Sequence, residues 1–211
     1  MITLYTWKTP NGRKPAIMLE EVGLPYTAEG VDISANAQFD PAFLAISPNN
    51  KIPAIVDRDA IGGGQAVFES GAILTYLARK SGRLLPPAGP AHWATLEWLH
   101  WSIGGLGPML GQLNFFAVRS DQKAPLAIDR FTKEGKRLLG VLETRLAKTP
   151  YVAGGAYSIA DIVSYPWIHE ARTKMEAVLG DTFAASPATL DWLARLGERP
   201  AVATGMRILE G

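Results

Sequence analysis

The hydrophobic pattern of this chain changes character once, between residues 81 and 90, and that change limits the folds open to it. Before it, strand-like and helix-like runs alternate. After it, no stretch reads as a strand. "ITLY" at 2–5 is a short β-rich run. Pro15, Met18, Leu19 and Val22 then recur at i, i+3, i+4 and i+7, the apolar stripe of a helix, with Gly23 as its stop. "YTAEGVDI" (26–33) reads as a second strand, "PAFLAIS" (41–47) as a short helix and "PAIVD" (53–57) as a third strand. "QAVF" (65–68) is a fourth, joined to the third by the turn-rich "RDAIGGG". Ile73, Tyr76 and Leu77 mark a helix beginning near Glu69.

The order β-α-β-α-β-β-α predicts a parallel strand pair with a right-handed crossover and an antiparallel hairpin, hence a mixed four-stranded sheet. "SGRLLPPAGP" (81–90) has the composition of a linker. Residues 91–117 read as helix; Ile128, Phe131, Gly135, Leu138, Leu139, Leu142 and Leu146 give a long amphipathic helix. "YSIADIVSYPWIHEA" (157–171) opens with Ser158 and has Asp161 three residues on, close to a capping box, with Pro166 expected to kink it. "LDWLARLGERP" closes with one more short helix. The expected fold class is α/β plus all-α: an α/β domain over 1–82, a linker over 83–90 and a helical domain over 91–211. A ligand site is expected in the cleft between such layers.

Lysine and arginine number 21 against 20 acidic residues, a formal net charge of +1, so neither nucleic acid nor an anionic membrane is expected as partner. No apolar run reaches the roughly 18 residues of a membrane span, and the first residues lack a signal-peptide pattern. The chain has no cysteine. That excludes disulfides, thiolate metal sites and a protein thiol nucleophile, and it fits a cytoplasmic location. His92, His100 and His169 lack metal-ligand spacing, so no metal is expected. Gly62-Gly63-Gly64 lacks a following Lys-Ser/Thr and reads as a hairpin turn rather than a phosphate loop.

Three stretches can carry chemistry. In "WKTPNGRK", Thr9 and Asn11 sit between the first strand and the first helix. They can cap the helix, or they can set a hydroxyl and a carboxamide NH₂ beside free helix amides that suit an anion. In "NNKIPAIVD", Ile52-Pro53 leads into a strand; a tight turn explains it, and a cis peptide would turn the Ile52 backbone toward a ligand. In "FESG", Glu69 and Ser70 again stand between strand and helix. They can cap, or they can hold a zwitterion: Glu69 accepting from an ammonium, Ser70 and helix amides holding a carboxylate. Tyr5 lies within its strand and reads as core or cleft wall. Arg13 and Lys14 have no assigned role.

"NNKIPAIVD" followed by "FESGAILTYLA", with "YSIADI" in a helical domain, resembles the glutathione transferase family across essentially the whole chain. "TPNGRK", "AQFDPAFLAISPNNKIPAIVD", "GGLGPMLGQ" and "AIDRF" resemble its Nu-class bacterial members, which reduce disulfides with glutathione. The resemblance implies a thioredoxin-like first domain, a cis Pro53, a helical-bundle second domain and a homodimer. It implies that Thr9 and Asn11 lie at the glutathione sulfur, Gln38 and Lys51 near the glycyl end, Ile52 on the cysteinyl part, and Glu69 and Ser70 on the γ-glutamyl end. Arg130 matches a basic residue that reaches glutathione, though a solvated helix arginine reads as well. Gly104, Gly105, Gly107 and Pro108 should bend or interrupt the helix through "GGLGPMLGQLNFF" (104–116). Met109, Leu113, Phe115 and Phe116 could then line a wall for a small disulfide or electrophile, or simply be core. Glutathione and oxidised glutathione are the expected ligands. Three activities stay open: disulfide reduction, conjugation of glutathione to electrophiles, and a non-catalytic interaction module.

Overall fold

The computed structural model describes residues 1–210. In chain order the elements are β1 (Ile2–Thr6), α1 (Pro10–Val22), β2 (Tyr26–Gly30), α2 (Pro41–Leu44), β3 (Ala54–Asp57), β4 (Gln65–Phe68) and α3 (Ser70–Ser81). Helices follow: α4 (Pro90–Trp101), α5 (Gly107–Leu113), α6 (Pro125–Leu146), α7 (Ile159–Lys174), α8 (Glu176–Ala184), α9 (Pro187–Gly197) and α10 (Pro200–Met206). The chain divides into two compact units, one spanning Met1–Leu85 together with the C-terminal stretch from Glu198, the other Pro86–Gly197.

The first unit carries a four-stranded sheet in the order β2-β1-β3-β4. β1 runs parallel to β2 and antiparallel to β3, which is antiparallel to β4, so the sheet is mixed. The crossover helix α1 explains the parallel pair, and the loop through Gly62, Gly63 and Gly64, all at positive φ, closes the β3–β4 hairpin. Both faces of the sheet are covered. Leu4 and Ile55 are fully buried, as are Ile17, Ile73, Leu74 and Leu77 of α1 and α3. Val31, Phe43 and Ala54 form a further buried cluster on which Tyr5, Ala37, Ile46 and Ile52 pack. Helix α10 returns to α1: Gly205 lies so close to Ile17 that a Cβ there would strike the Ile17 backbone. Arg199 adds a two-pronged ion pair to Glu21 at 2.7 and 2.8 Å.

The second unit is all helix. α6 buries Gly135, Leu138, Leu139, Leu142 and Leu146, the stripe read from its spacing. The helix through 104–116 is interrupted, as its glycines suggest, by π-helical turns at Ser102–Leu106 and Asn114–Arg119 on either side of α5. α7 begins with the expected capping box and runs on through Pro166. No described helix is long and apolar enough to cross a membrane.

Candidate active site

Strand directions bring the sequence motifs of the first unit to one edge of the sheet. β1 and β4 both end where antiparallel β3 begins, since Tyr5 pairs with Ala54 and Ala54 with Phe68. The loop holding Thr9 and Asn11 leaves β1 at that edge. Ile52 and Pro53 enter β3 there, and Glu69 and Ser70 leave β4 there. β2, parallel to β1, ends at the same edge and leads into the segment carrying Gln38. Two helices, α1 and α3, therefore start at this edge and point the positive ends of their dipoles at it.

The first turn of α1 is set tightly. Thr9 has extended backbone (φ −126°, ψ 160°) and caps the helix, its Oγ1 accepting from the Gly12 N–H at 3.2 Å. A hydroxyl that accepts still has its own hydrogen to donate, so capping leaves Thr9 a donor. From the strand side, the buried Thr6 hydroxyl donates to the Gly12 carbonyl at 2.9 Å. Gly12 is wedged between them, and a Cβ would collide with the Trp7 carbonyl oxygen and the Thr6 hydroxyl. On the next turn the Lys14 ammonium donates to Asn11 Oδ1 at 2.8 Å.

Across the edge, the Ile52–Pro53 peptide bond is cis. Pro53 is buried, Ile52 half-buried and Lys51 exposed. Gln38 keeps a buried Oε1 with no hydrogen-bond partner among the described residues, an acceptor that a ligand's peptide N–H would satisfy. Glu69 has φ 70° and ψ 119°, a backbone conformation that costs a non-glycine residue about 1–3 kcal/mol. It makes no side-chain cap, so the capping reading of "FESG" does not describe it, and its side chain is exposed. Ser70, in the first turn of α3, is buried. Tyr5 packs against Phe43 with ring centroids 6.3 Å apart, as core or wall.

Lys14 is where the structure departs most from its sequence appearance. It is only 1% exposed. Burial pulls its ammonium down from the ordinary lysine value to about 7, with Glu69 acting in the opposite sense. A helical i, i+3 relation to Asn11 was the one local signal that the two side chains meet. The pH consequence has a definite sign. Between about pH 7 and the unfolded lysine value of 10.5, the unfolded chain binds the proton and the folded chain does not. Folding stability should therefore rise with pH over this window, by at most about 1.4 kcal/mol per unit. Melting temperatures from pH 7 to about 9 check this; the rise should vanish in Lys14→Met.

The remaining sequence-predicted residues belong to the second unit. Phe116 stacks on Phe131 (5.8 Å, 9° between planes) and meets Phe115 edge-on at 5.1 Å. Phe115 is 48% exposed, more than a core residue would be. Met109 is half-buried on α5 and Arg130 is exposed on α6, whereas Leu113 is fully buried and so is core. Among the described residues, no three histidine or carboxylate side chains gather as a metal site.

Residues 1–79 match the glutathione S-transferase N-terminal domain, and residues 125–195 match the glutathione S-transferase C-terminal domain. The chain belongs to the glutathione S-transferase family. It is 47% identical over 212 residues to the disulfide-bond oxidoreductase YfcG of Escherichia coli (strain K12), covering 100% of this chain and 95% of that protein. A crystal structure of a glutathione transferase family member from Pseudomonas fluorescens pf-5, with two glutathione bound, is similar at TM-score 0.92 and 43% identity. That match covers 97% of this chain and 92% of the other. A glutathione transferase from Pseudomonas putida, with one glutathione disulfide bound per subunit, is similar at TM-score 0.93 and 41% identity, over 99% and 91% of the two chains. The thioredoxin-like first domain expected from the motifs is thus the family's fold.

Proposed function

We propose that this transferase reduces small disulfides with glutathione, activating the thiol by hydrogen bonds from Thr9 and Asn11 and using no protein sulfur. The observation that carries this reading is the start of α1: a donating hydroxyl, a carboxamide and a helix N-terminus at one strand end, in a chain with no cysteine.

The energetics suffice. A thiol with the cysteine value of about 8.5 must be lowered to roughly 6.5 to be mostly thiolate at neutral pH, which takes about 2.7 kcal/mol of preference for the anion. A hydrogen bond to a charged group contributes about 1.5–3 kcal/mol, and a helix N-terminus about 0.3–2. Water can take the proton. The thiolate then attacks the disulfide, forming a mixed disulfide and expelling one thiolate. A second glutathione thiolate attacks the glutathione sulfur of that intermediate, releasing oxidised glutathione and the other thiolate. Two glutathiones are oxidised for each disulfide reduced. The relatives crystallised with two glutathiones, or with glutathione disulfide, have room for this stoichiometry. Thr9 and Asn11 are small donors and leave more space than a tyrosine would.

In this reading Glu69 accepts from the γ-glutamyl ammonium, and Ser70 with the α3 amides holds its carboxylate. The Ile52 backbone pairs with the cysteinyl part, and Gln38 and Lys51 serve the glycyl end. Arg130 reaches glutathione, and Met109, Phe115 and Phe116 form the apolar wall for the second substrate. The decisive assay is turnover of a small model disulfide with excess glutathione, against conjugation of an aryl halide. A rate no higher than the uncatalysed one on the disulfide refutes the reading, and turnover of the halide alone favours conjugation. Thr9→Ala should raise the pKa of bound glutathione by about one unit, and Asn11→Ala by as much or more. Thiolate absorbance of the bound tripeptide across pH measures both. If neither variant nor the pair shifts it, the sulfur lies elsewhere.

A further inference from the structure

Lys14 is an expensive residue to keep where it is. Its side chain is nearly inaccessible, and burial disfavours its charge. It lies in the second turn of α1, near the positive end of the dipole, where a cation is disfavoured. The elements packed against α1 offer it little. β1 and α10 carry no charged residue, and α3 has only Arg79 and Lys80, in its last turn. The acidic group acting on it is Glu69, and its hydrogen-bond partner is Asn11 Oδ1 at 2.8 Å. An apolar side chain of similar shape would serve packing as well or better.

We infer that Lys14 is a positioning residue of the thiol site, holding the Asn11 carboxamide with its oxygen turned inward and its NH₂ turned to the sulfur. A protonated lysine nitrogen only donates, so in that form the atom facing it is the amide oxygen, as in the 2.8 Å contact to Oδ1, and the NH₂ then occupies the other limb of the planar group. Without that partner the carboxamide can turn over and present its oxygen to the thiolate, which repels it. In its protonated form, which prevails below about pH 7, the lysine also polarises the amide and strengthens its N–H as a donor. This inference rests on the reading of Asn11 as a donor to sulfur.

The test is a double-mutant cycle on the full-length protein with Asn11→Ala, Lys14→Met and the pair. The readout is the pKa of bound glutathione, from thiolate absorbance, alongside the melting temperature. Lys14→Met should raise that pKa by about one unit with no loss in melting temperature at neutral pH, and the pair should shift it no further than Asn11→Ala alone. Lys14→Arg, which retains a cationic donor, should restore a value near the wild type. An effect of Lys14→Met that adds in full to that of Asn11→Ala overturns the inference, since Lys14 would then act on the sulfur by charge alone. No shift in Lys14→Met, beside a clear one in Asn11→Ala, also overturns it while leaving the disulfide-reductase reading intact. No shift in Asn11→Ala removes the reading beneath it. Should Lys14→Met fail to fold, Lys14→Leu takes its place in the same cycle: a raised pKa that adds nothing to Asn11→Ala supports the inference, and no shift or a fully additive one overturns it.

Discussion

Asp161→Ala is expected to destabilise the second unit by about 3–5 kcal/mol, a large part of the 5–15 kcal/mol that holds a typical protein folded. The carboxylate is fully buried and is the hub of the capping box of α7. Its Oδ1 accepts from the Val152 N–H at 2.9 Å and the Trp192 indole at 3.0 Å. Its Oδ2 accepts from the Ser158 N–H at 3.0 Å and the Ser158 hydroxyl at 3.2 Å. Burial pushes this carboxyl up toward its neutral form, while the four donors oppose that. Alanine leaves three buried N–H groups without their acceptor, each costing about 1–3 kcal/mol, and weakens the cap. Asp161→Asn keeps an oxygen for Val152 and Trp192 but sets an NH₂ against the Ser158 N–H, so its loss should be smaller. Thermal unfolding checks this. The alanine variant should melt roughly 10 °C or more below the parent, or not fold, with asparagine between. A drop of only a degree or two would mean that the carboxylate is dispensable.

Within that hub the bonds from Val152 and Trp192 were not legible, but the cap was, because its signal is local: Ser158 and Asp161 stand three apart before an apolar run. The same holds for the strands, the stripe of α6, and Gly23, which closes α1 in the left-handed conformation at φ 69°. What escaped the sequence depends on contacts between distant segments. α10 packs on α1 through Gly205 and Ile17, more than 180 residues apart in the chain, and its seven residues carry no periodic stripe. α8 is a nine-residue apolar segment whose pattern says little about its partners. The positive φ of Glu69 has no residue-type signature, since nothing in a glutamate announces it. Lys14 misleads for a simpler reason. A lone lysine on a helix normally faces water, and only the fold shows that this one does not. Thr9 was ambiguous between cap and donor, and the geometry makes it a cap whose own O–H is left to donate.

Gly12→Ala should lower activity more than any other single methyl group added near the proposed thiol site. Nothing about its chain position demands glycine; the demand comes from the end of β1 pressing on the start of α1. A Cβ at residue 12 runs into the Trp7 carbonyl and the Thr6 hydroxyl, and the first of these is backbone that cannot swing aside. The first turn of α1 must therefore move away from the strand. That motion breaks two contacts which run through residue 12: its N–H to Thr9 Oγ1 and its carbonyl from Thr6. Overpacking of this kind costs about 1–3 kcal/mol of stability. Catalysis should suffer more, because both proposed sulfur donors ride on the displaced turn, and a shift of about 1 Å in such groups can cost roughly 100-fold in rate. Gly140→Ala, on the exposed side of α6 with nothing within 4 Å of an added Cβ, is the control and should be neutral or slightly stabilising. Steady-state disulfide reduction, thiolate absorbance of bound glutathione and melting temperature separate the two effects. Gly12→Ala should raise the pKa of bound glutathione and slow turnover even at temperatures where it is fully folded. Unchanged turnover and thiolate absorbance in a folded Gly12→Ala protein would mean that the start of α1 does not set the sulfur donors.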